Sequence, residues 1–197
     1  MNEKNPKLEI CTSFSLHLSI LGTKFDPKKM DSFRKAFKIY IKKYEKKVLR
    51  LISKYSGLEW KKKIIKIWLF DGWYPSISYP LLLNVYEYNK RFAFFILIHE
   101  LTHNIFLEKN IVTKKGKTIN MNNMEAIIEL ITKKVAENIF SEKIVKKLCK
   151  KSEFDGTYKF IWEKEKELEK EWDLNKKPLI EWIKTKSYKI KNENEYF

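Results

Sequence analysis

The sequence predicts an α+β fold: a small N-terminal mixed sheet with a backing helix, then central helices and a helical C-terminal part. Two periodic patterns indicate this class. Between residues 8 and 20, apolar and polar side chains alternate, which is typical of a half-buried strand. From Phe33 to Tyr55, apolar residues recur at helical spacing instead. The chain of 197 residues has only five glycines and five prolines, so regular elements should dominate it.

The long helix has recognisable boundary residues and carries much of the charge. Asp26-Pro27 supplies an N-cap followed by proline at the first helical position, and the helix should end near Gly57. The formal net charge of the chain is +16, and most of the excess lies at residues 24–66, with lysines on the outward face of this helix. Without an arginine cluster this pattern indicates a solvated surface, so nucleic acid is a disfavoured partner.

Two extended segments follow the helix. Residues 64–70 are β-branched and aromatic and predict a strand. A second run, 77–88, contains Pro80, and proline favours an edge strand over a central one. We therefore expect the run 77–88 to form an edge strand.

Two central helices come next. Residues 92–107 are apolar almost all round, which indicates a helix buried in the middle of the protein. After a polar segment, apolar residues recur at helical spacing from Met124 to Ile139 and predict the second helix. We expect a single domain, with the sheet and the first central helix in an upper part, residues 1–107, and a helical lower part, residues 108–197.

The sequence predicts a cytoplasmic protein without a membrane span. Cys11 and Cys149 are far apart and form neither a metal-binding pair nor a disulfide framework. The N-terminus lacks the apolar stretch and the cleavage site of a secretory signal. The longest apolar run, residues 92–98, is far too short to cross a bilayer.

The first central helix contains the motif that carries the chemistry, His99-Glu100-Leu101-Thr102-His103. Histidines four apart on a helix stand one turn apart on the same face, so both imidazoles can bind one metal ion, here Zn²⁺. Glu100 lies about a hundred degrees around the helix from His99, where it can act as general base on a metal-bound water. The alternative is a pair of hydrogen-bonded core histidines, but a buried carboxylate without a partner is costly.

A catalytic zinc site needs a third protein ligand. We expect Glu125, because it starts the second central helix after a segment long enough for the chain to reverse and return. Glu129 lies one turn further along that helix, where it could orient a ligating histidine. Glu125 could instead be an ordinary acid at a helix N-terminus, and Glu129 a solvated carboxylate. We interpret His17 as a polar strand residue.

The combination of HELTH with Glu125 and Glu129 resembles the gluzincins, zinc peptidases with HExxH on one helix and a glutamate on a second. Thermolysin-like members have aspartate where this chain has Glu129. The order of elements over residues 8–140 resembles the compact minigluzincins, although by residue identity only the motif matches. The resemblance implies a zincin-like fold and a peptidase, more specifically an endopeptidase, that hydrolyses internal bonds of peptide or protein substrates.

The resemblance also implies further roles. An edge strand before the motif, residues 81–88, would bind the peptide in extended form, and Asn84 would contact the substrate there. Tyr158, with Tyr188 as rival, would stabilise the oxyanion. Zinc would polarise the scissile carbonyl, and Glu100 would take a proton from water and return it to the leaving amine.

Two other functions remain open. The chain could be a latent or regulatory metal-binding protein that inhibits itself, with the cleft covered by its own terminal segment; the aromatic tail Tyr196-Phe197 motivates this alternative. It could also be a basic nucleic-acid-binding protein that has kept the motif for structure.

Overall fold

The structure is a computed structural model that describes residues 5–11, 26–72, 75–85, 87–107, 121–152, 166–170, 172–173, 176–179 and 181. Within these ranges the chain forms four strands and four longer helices. In chain order they are β1 (Lys7–Cys11), α1 (Pro27–Ser56), β2 (Ile64–Phe70), β3 (Ile77–Ser78), β4 (Leu81–Asn84), α2 (Lys90–Leu107), α3 (Met121–Glu137) and α4 (Glu142–Ser152). The predicted α+β class, with a small mixed sheet, is confirmed.

The sheet has the strand order β1-β2-β4-β3. β1, β2 and β4 run parallel, and β3 pairs antiparallel with β4 through Ser78 opposite Leu81. The run 77–88 contains an edge strand, but that strand is β3 at residues 77–78, so the edge strand expected at residues 81–88 is wrong. The chain reverses at Tyr79-Pro80, so that the proline occupies the turn, and β4 lies between β2 and β3 instead of at the edge.

The backing helix α1 begins and ends where its boundary residues predicted. The Asp26 carboxylate accepts hydrogen bonds from the backbone N–H groups of Lys28 and Lys29, at 3.0 and 3.1 Å. Gly57 ends the helix with φ of 72°, a left-handed conformation that glycine adopts without steric cost. The lysines of α1 lie on the exposed face of the helix, as predicted. The opposite face is buried and consists of Met30, Phe33, Phe37, Ile41, Val48, Leu49, Leu51, Ile52 and Tyr55.

Helix α2 lies in the interior, as its composition predicted. It contacts α1, α3, β3 and β4, and most of its side chains are buried. Asn89 precedes it and accepts hydrogen bonds from the backbone N–H groups of Arg91 and Phe92, both at 3.1 Å. Full burial of a large apolar side chain stabilises a fold by roughly 1.5–3 kcal/mol, so this helix is held firmly in place. The motif therefore lies on a helix that is packed into the core.

The helical part after α2 packs on the same core. Trp172 is buried, and its indole N–H donates to the carbonyl of Lys177 at 2.8 Å. Glu169 forms ion pairs with Lys133 and Lys134 of α3. Within the described ranges, no helix combines the length and the apolar character that crossing a membrane requires.

Candidate metal centre

The two histidines of the motif point at each other from successive turns of α2. The Nε2 atoms of His99 and His103 are 3.0 Å apart, and both side chains are largely buried. At this distance one Nε2–H can donate a hydrogen bond to the other ring. When both nitrogens are unprotonated, their two lone pairs can bind one metal ion.

Glu125 completes this group from α3. Its Oε1 lies 3.2 Å from Nε2 of His103, and its Oε2 lies 3.7 Å from Nε2 of His99. Ligand atoms at about 2.0–2.2 Å from a tetrahedral zinc ion lie about 3.3–3.6 Å from one another. The donor types fit such an ion, and the separations measured here are close to that range. Within the described residues, these three side chains are the group that could hold a metal.

Glu129 contacts the opposite side of the His99 ring. Its Oε1 lies 3.1 Å from Nδ1 of His99, and its side chain is almost fully buried. In the neutral imidazole, an N–H at Nδ1 that donates to this carboxylate leaves Nε2 unprotonated on the side of Glu125 and His103. Carboxylates in this position orient a metal-binding histidine and raise its basicity.

The electrostatics of the cluster favour positive charge. Burial by itself would lower the pKa of the His99 imidazole, but the Glu129 carboxylate, with smaller contributions from Glu100 and Glu125, raises that pKa to about 9. Burial also opposes ionisation of Glu125, yet its hydrogen bond and charge interaction with His103 hold the pKa of its carboxyl below the ordinary value. A buried site with this acid content can hold a cation.

Glu100 is 6% exposed and faces the sheet edge beside the histidines. Its Oε2 accepts a hydrogen bond of 2.6 Å from the hydroxyl of Ser78 in β3. The Ser78 carbonyl accepts a bond of 2.6 Å from Nδ2 of Asn104, and Oδ1 of Asn104 accepts one of 2.8 Å from Nζ of Lys62. A chain of hydrogen bonds thus connects Glu100 with β3 and the segment before β2.

The sequence did not predict that Ser78 and Asn104 belong to the site. Asn104 offered a signal, because it is a strongly polar residue in an almost wholly apolar helix, one turn after Glu100. Ser78 offered none, since a serine in a short strand is ordinary. Its role becomes visible only when β3 is packed against α2.

Asn84, predicted to bind substrate, is 1% exposed at the end of β4. Its side-chain N–H donates to the carbonyl of Gly72 at 2.7 Å, and its backbone N–H donates to the hydroxyl of Ser76 at 3.0 Å. These two hydrogen bonds connect Asn84 with the loops around the sheet. Its side-chain N–H thereby stabilises the chain after β2, and its role in substrate binding stays a prediction.

Several predicted residues lie outside the described part of the chain. They are His17, Tyr158, Tyr188 and the tail Tyr196-Phe197. The roles suggested for them therefore stay predictions.

Comparisons of the chain with protein-family models, with curated proteins and with solved structures found no match. We therefore infer a function from the residues and the geometry of one cluster, formed by His99, His103, Glu125, Glu129 and Glu100.

Proposed function

We propose that this chain is a zinc-dependent peptidase of the gluzincin type, with a zincin-like arrangement of its helices and sheet, that cleaves internal bonds of peptide or protein substrates. One observation carries the proposal. The Nε2 atoms of His99 and His103 and the carboxylate of Glu125 converge within 3.0–3.7 Å of one another, with the carboxylate of Glu100 on the same helix. This is the donor set of three ligands and a general base that metal-dependent peptide hydrolysis requires.

The proposed metal ligands lie on two helices. His99 and His103 supply two ring nitrogens from α2, and Glu125 supplies a carboxylate oxygen from α3. Glu129 holds the proton of Nδ1 of His99, so that Nε2 stays free to bind the ion. When bound, zinc polarises the scissile carbonyl and lowers the pKa of water from about 15.7 to about 7.

Glu100 performs both proton transfers. As the water oxygen bonds to the carbonyl carbon, the Glu100 carboxylate takes a water proton. The same group then gives that proton to the leaving nitrogen as the C–N bond breaks. One carboxylate serves first as base and then as acid, and no covalent bond to the protein forms.

The test combines metal content with hydrolysis of a denatured protein. Purified protein is expected to contain about one zinc per chain, and a chelator should abolish cleavage. Glu100→Gln should keep the zinc and lose cleavage by about 10²–10⁴-fold, the usual contribution of a general base. Glu59→Gln, the same change at an exposed glutamate, is the matched control and should cleave at the wild-type rate.

Two outcomes contradict the proposal. One is cleavage by Glu100→Gln at the wild-type rate. The other is a zinc-loaded wild-type chain that cleaves no substrate in a mixture of denatured proteins.

A further inference from the structure

We infer that Ser78 is a positioning residue for Glu100 and acts through the hydrogen bond from its hydroxyl to Oε2 of that carboxylate. The two oxygens are 2.6 Å apart. A bond from a hydroxyl to an ionised carboxylate at this distance is charge-assisted and among the stronger hydrogen bonds in proteins. The inference rests on the proposed function, because it assumes that Glu100 is the general base.

Ser78 is held against α2 at a second point. Its carbonyl oxygen accepts a hydrogen bond of 2.6 Å from Nδ2 of Asn104. Glu100 and Asn104 are four residues apart, so they lie one turn apart on the same face of α2. Two hydrogen bonds therefore hold the short strand β3 against the motif helix, one through the side chain of Ser78 and one through its backbone carbonyl.

The orientation of Asn104 is determined in turn by Lys62. Nζ of Lys62 donates to Oδ1 of Asn104 at 2.8 Å, and the same ammonium lies 4.6 Å from the ring centroid of Tyr79, the residue after Ser78. An ammonium can only donate, so the Asn104 side chain must present Oδ1 to Lys62 and Nδ2 to Ser78. Asn104 is 2% exposed, so solvent does not compete for these bonds.

These contacts determine which oxygen of Glu100 is available. The terminal torsion of a glutamate is broad, and an unrestrained carboxylate would take many orientations. The Ser78 bond occupies Oε2, whereas Oε1 accepts no hydrogen bond from the part of the chain that the structure describes. Oε1 is thus left to receive the proton. Misplacing a reacting group by 1 Å can cost about 10²-fold in rate, so this restraint matters for turnover.

The experiment compares three variants of the full-length, zinc-loaded protein by steady-state cleavage of a peptide. Ser78→Ala removes the donor and is expected to lower kcat by about 10- to 100-fold, with KM and zinc content unchanged. Ser78→Thr keeps a hydroxyl and should restore most of the rate. Ser76→Ala is the matched control. It removes a hydroxyl two residues away that accepts from the backbone N–H of Asn84, and it should leave kcat unchanged.

A double-variant measurement separates positioning from a general loss of structure. In a Glu100→Gln background, Ser78→Ala should change the residual rate by no more than about two-fold, because the carboxylate that it positions is already gone. A loss as large as in the wild-type background would overturn the inference. So would a wild-type kcat for Ser78→Ala, a change in KM alone, or a threonine variant as slow as the alanine variant.

Should Ser78→Ala fail to fold, Ser78→Cys replaces it, since a thiol keeps the side-chain size but donates weakly. It is expected to lower kcat in the same way, and an unchanged kcat would overturn the inference. Failure of the inference differs from failure of the proposed function. An active wild type with unaffected Ser78 variants would contradict only the role of Ser78. A zinc-loaded, inactive wild type would contradict both that role and the proposed peptidase function.

Discussion

Oε1 of Glu129 lies 3.1 Å from Nδ1 of His99, on the opposite side of the ring from the nitrogen that faces Glu125. Helix α3 therefore supplies two acids to one imidazole, one at each ring nitrogen. The four-residue spacing of Glu125 and Glu129 matches one helical turn, which lets both reach the same ring.

Glu129→Gln should weaken zinc binding without removing it. The amide keeps the size of the side chain but loses the negative charge that orients and polarises His99, and changes of this kind typically cost about 10–100-fold in metal affinity. Competition with a chromophoric chelator measures the affinity. Glu137→Gln, on the same helix but paired with Lys134, is the control. Equal affinities for the Glu129 and Glu137 variants would show that the contact with His99 has no effect on the metal.

Glu125→Ala should lose bound zinc under conditions in which the wild type retains it. The remaining two ring nitrogens are too few for a stable protein site, which needs three ligands or more. Metal analysis after gel filtration provides the measurement. His17→Ala should keep the full zinc content, since we interpret His17 as a strand residue. The reverse pattern, with zinc lost only from the His17 variant, would assign the third ligand to His17.

Ile98→Ala should destabilise the fold by about 2–5 kcal/mol, because it opens a cavity at a fully buried position beside the motif. Ile39→Ala is the matched control. That isoleucine is 74% exposed on α1, and the same substitution there should change the free energy of unfolding by no more than about 0.5 kcal/mol. Urea denaturation followed by circular dichroism gives both values. Similar losses at the two positions would contradict the assigned burial of α2.

Glu169→Gln tests the ion pairs that attach the segment 166–170 to α3. Burial opposes ionisation, but hydrogen bonds from Lys133 and Lys134 outweigh it and hold the pKa of the Glu169 carboxyl below the ordinary value of 4.5. A lowered pKa means that the stabilisation is fully present above pH 4.5 and is lost as the pH falls through the folded-state pKa.

Because these two ion pairs are partly exposed and solvent screens them, the variant should lose only roughly 0.5–1 kcal/mol of unfolding free energy at pH 7. The difference from the wild type should shrink as the pH falls below 4.5 and also in concentrated salt. Urea unfolding at several pH values measures it. A difference that stays constant with pH would mean that charge is not the cause.

Features that depend on neighbouring residues could be predicted from the sequence. The start of α1 at Asp26-Pro27 and its end at Gly57 are examples, since both are local preferences of the backbone. The interior position of α2 followed from its composition. In contrast, Pro80 suits both an edge strand and a tight turn, and only the pairing of β3 with β4 distinguishes the two.

The sequence by itself determined the pair of histidines, because a spacing of four on any helix brings His99 and His103 to one face. It also determined that Glu100 lies beside them. Only the tertiary structure decided that Glu125 and Glu129 meet the two rings and that Ser78 reaches Glu100. These contacts join residues more than twenty positions apart, and the packing of α3 and β3 against α2 sets their distances. Local preferences contain no information about such packing, which depends on how the whole core closes.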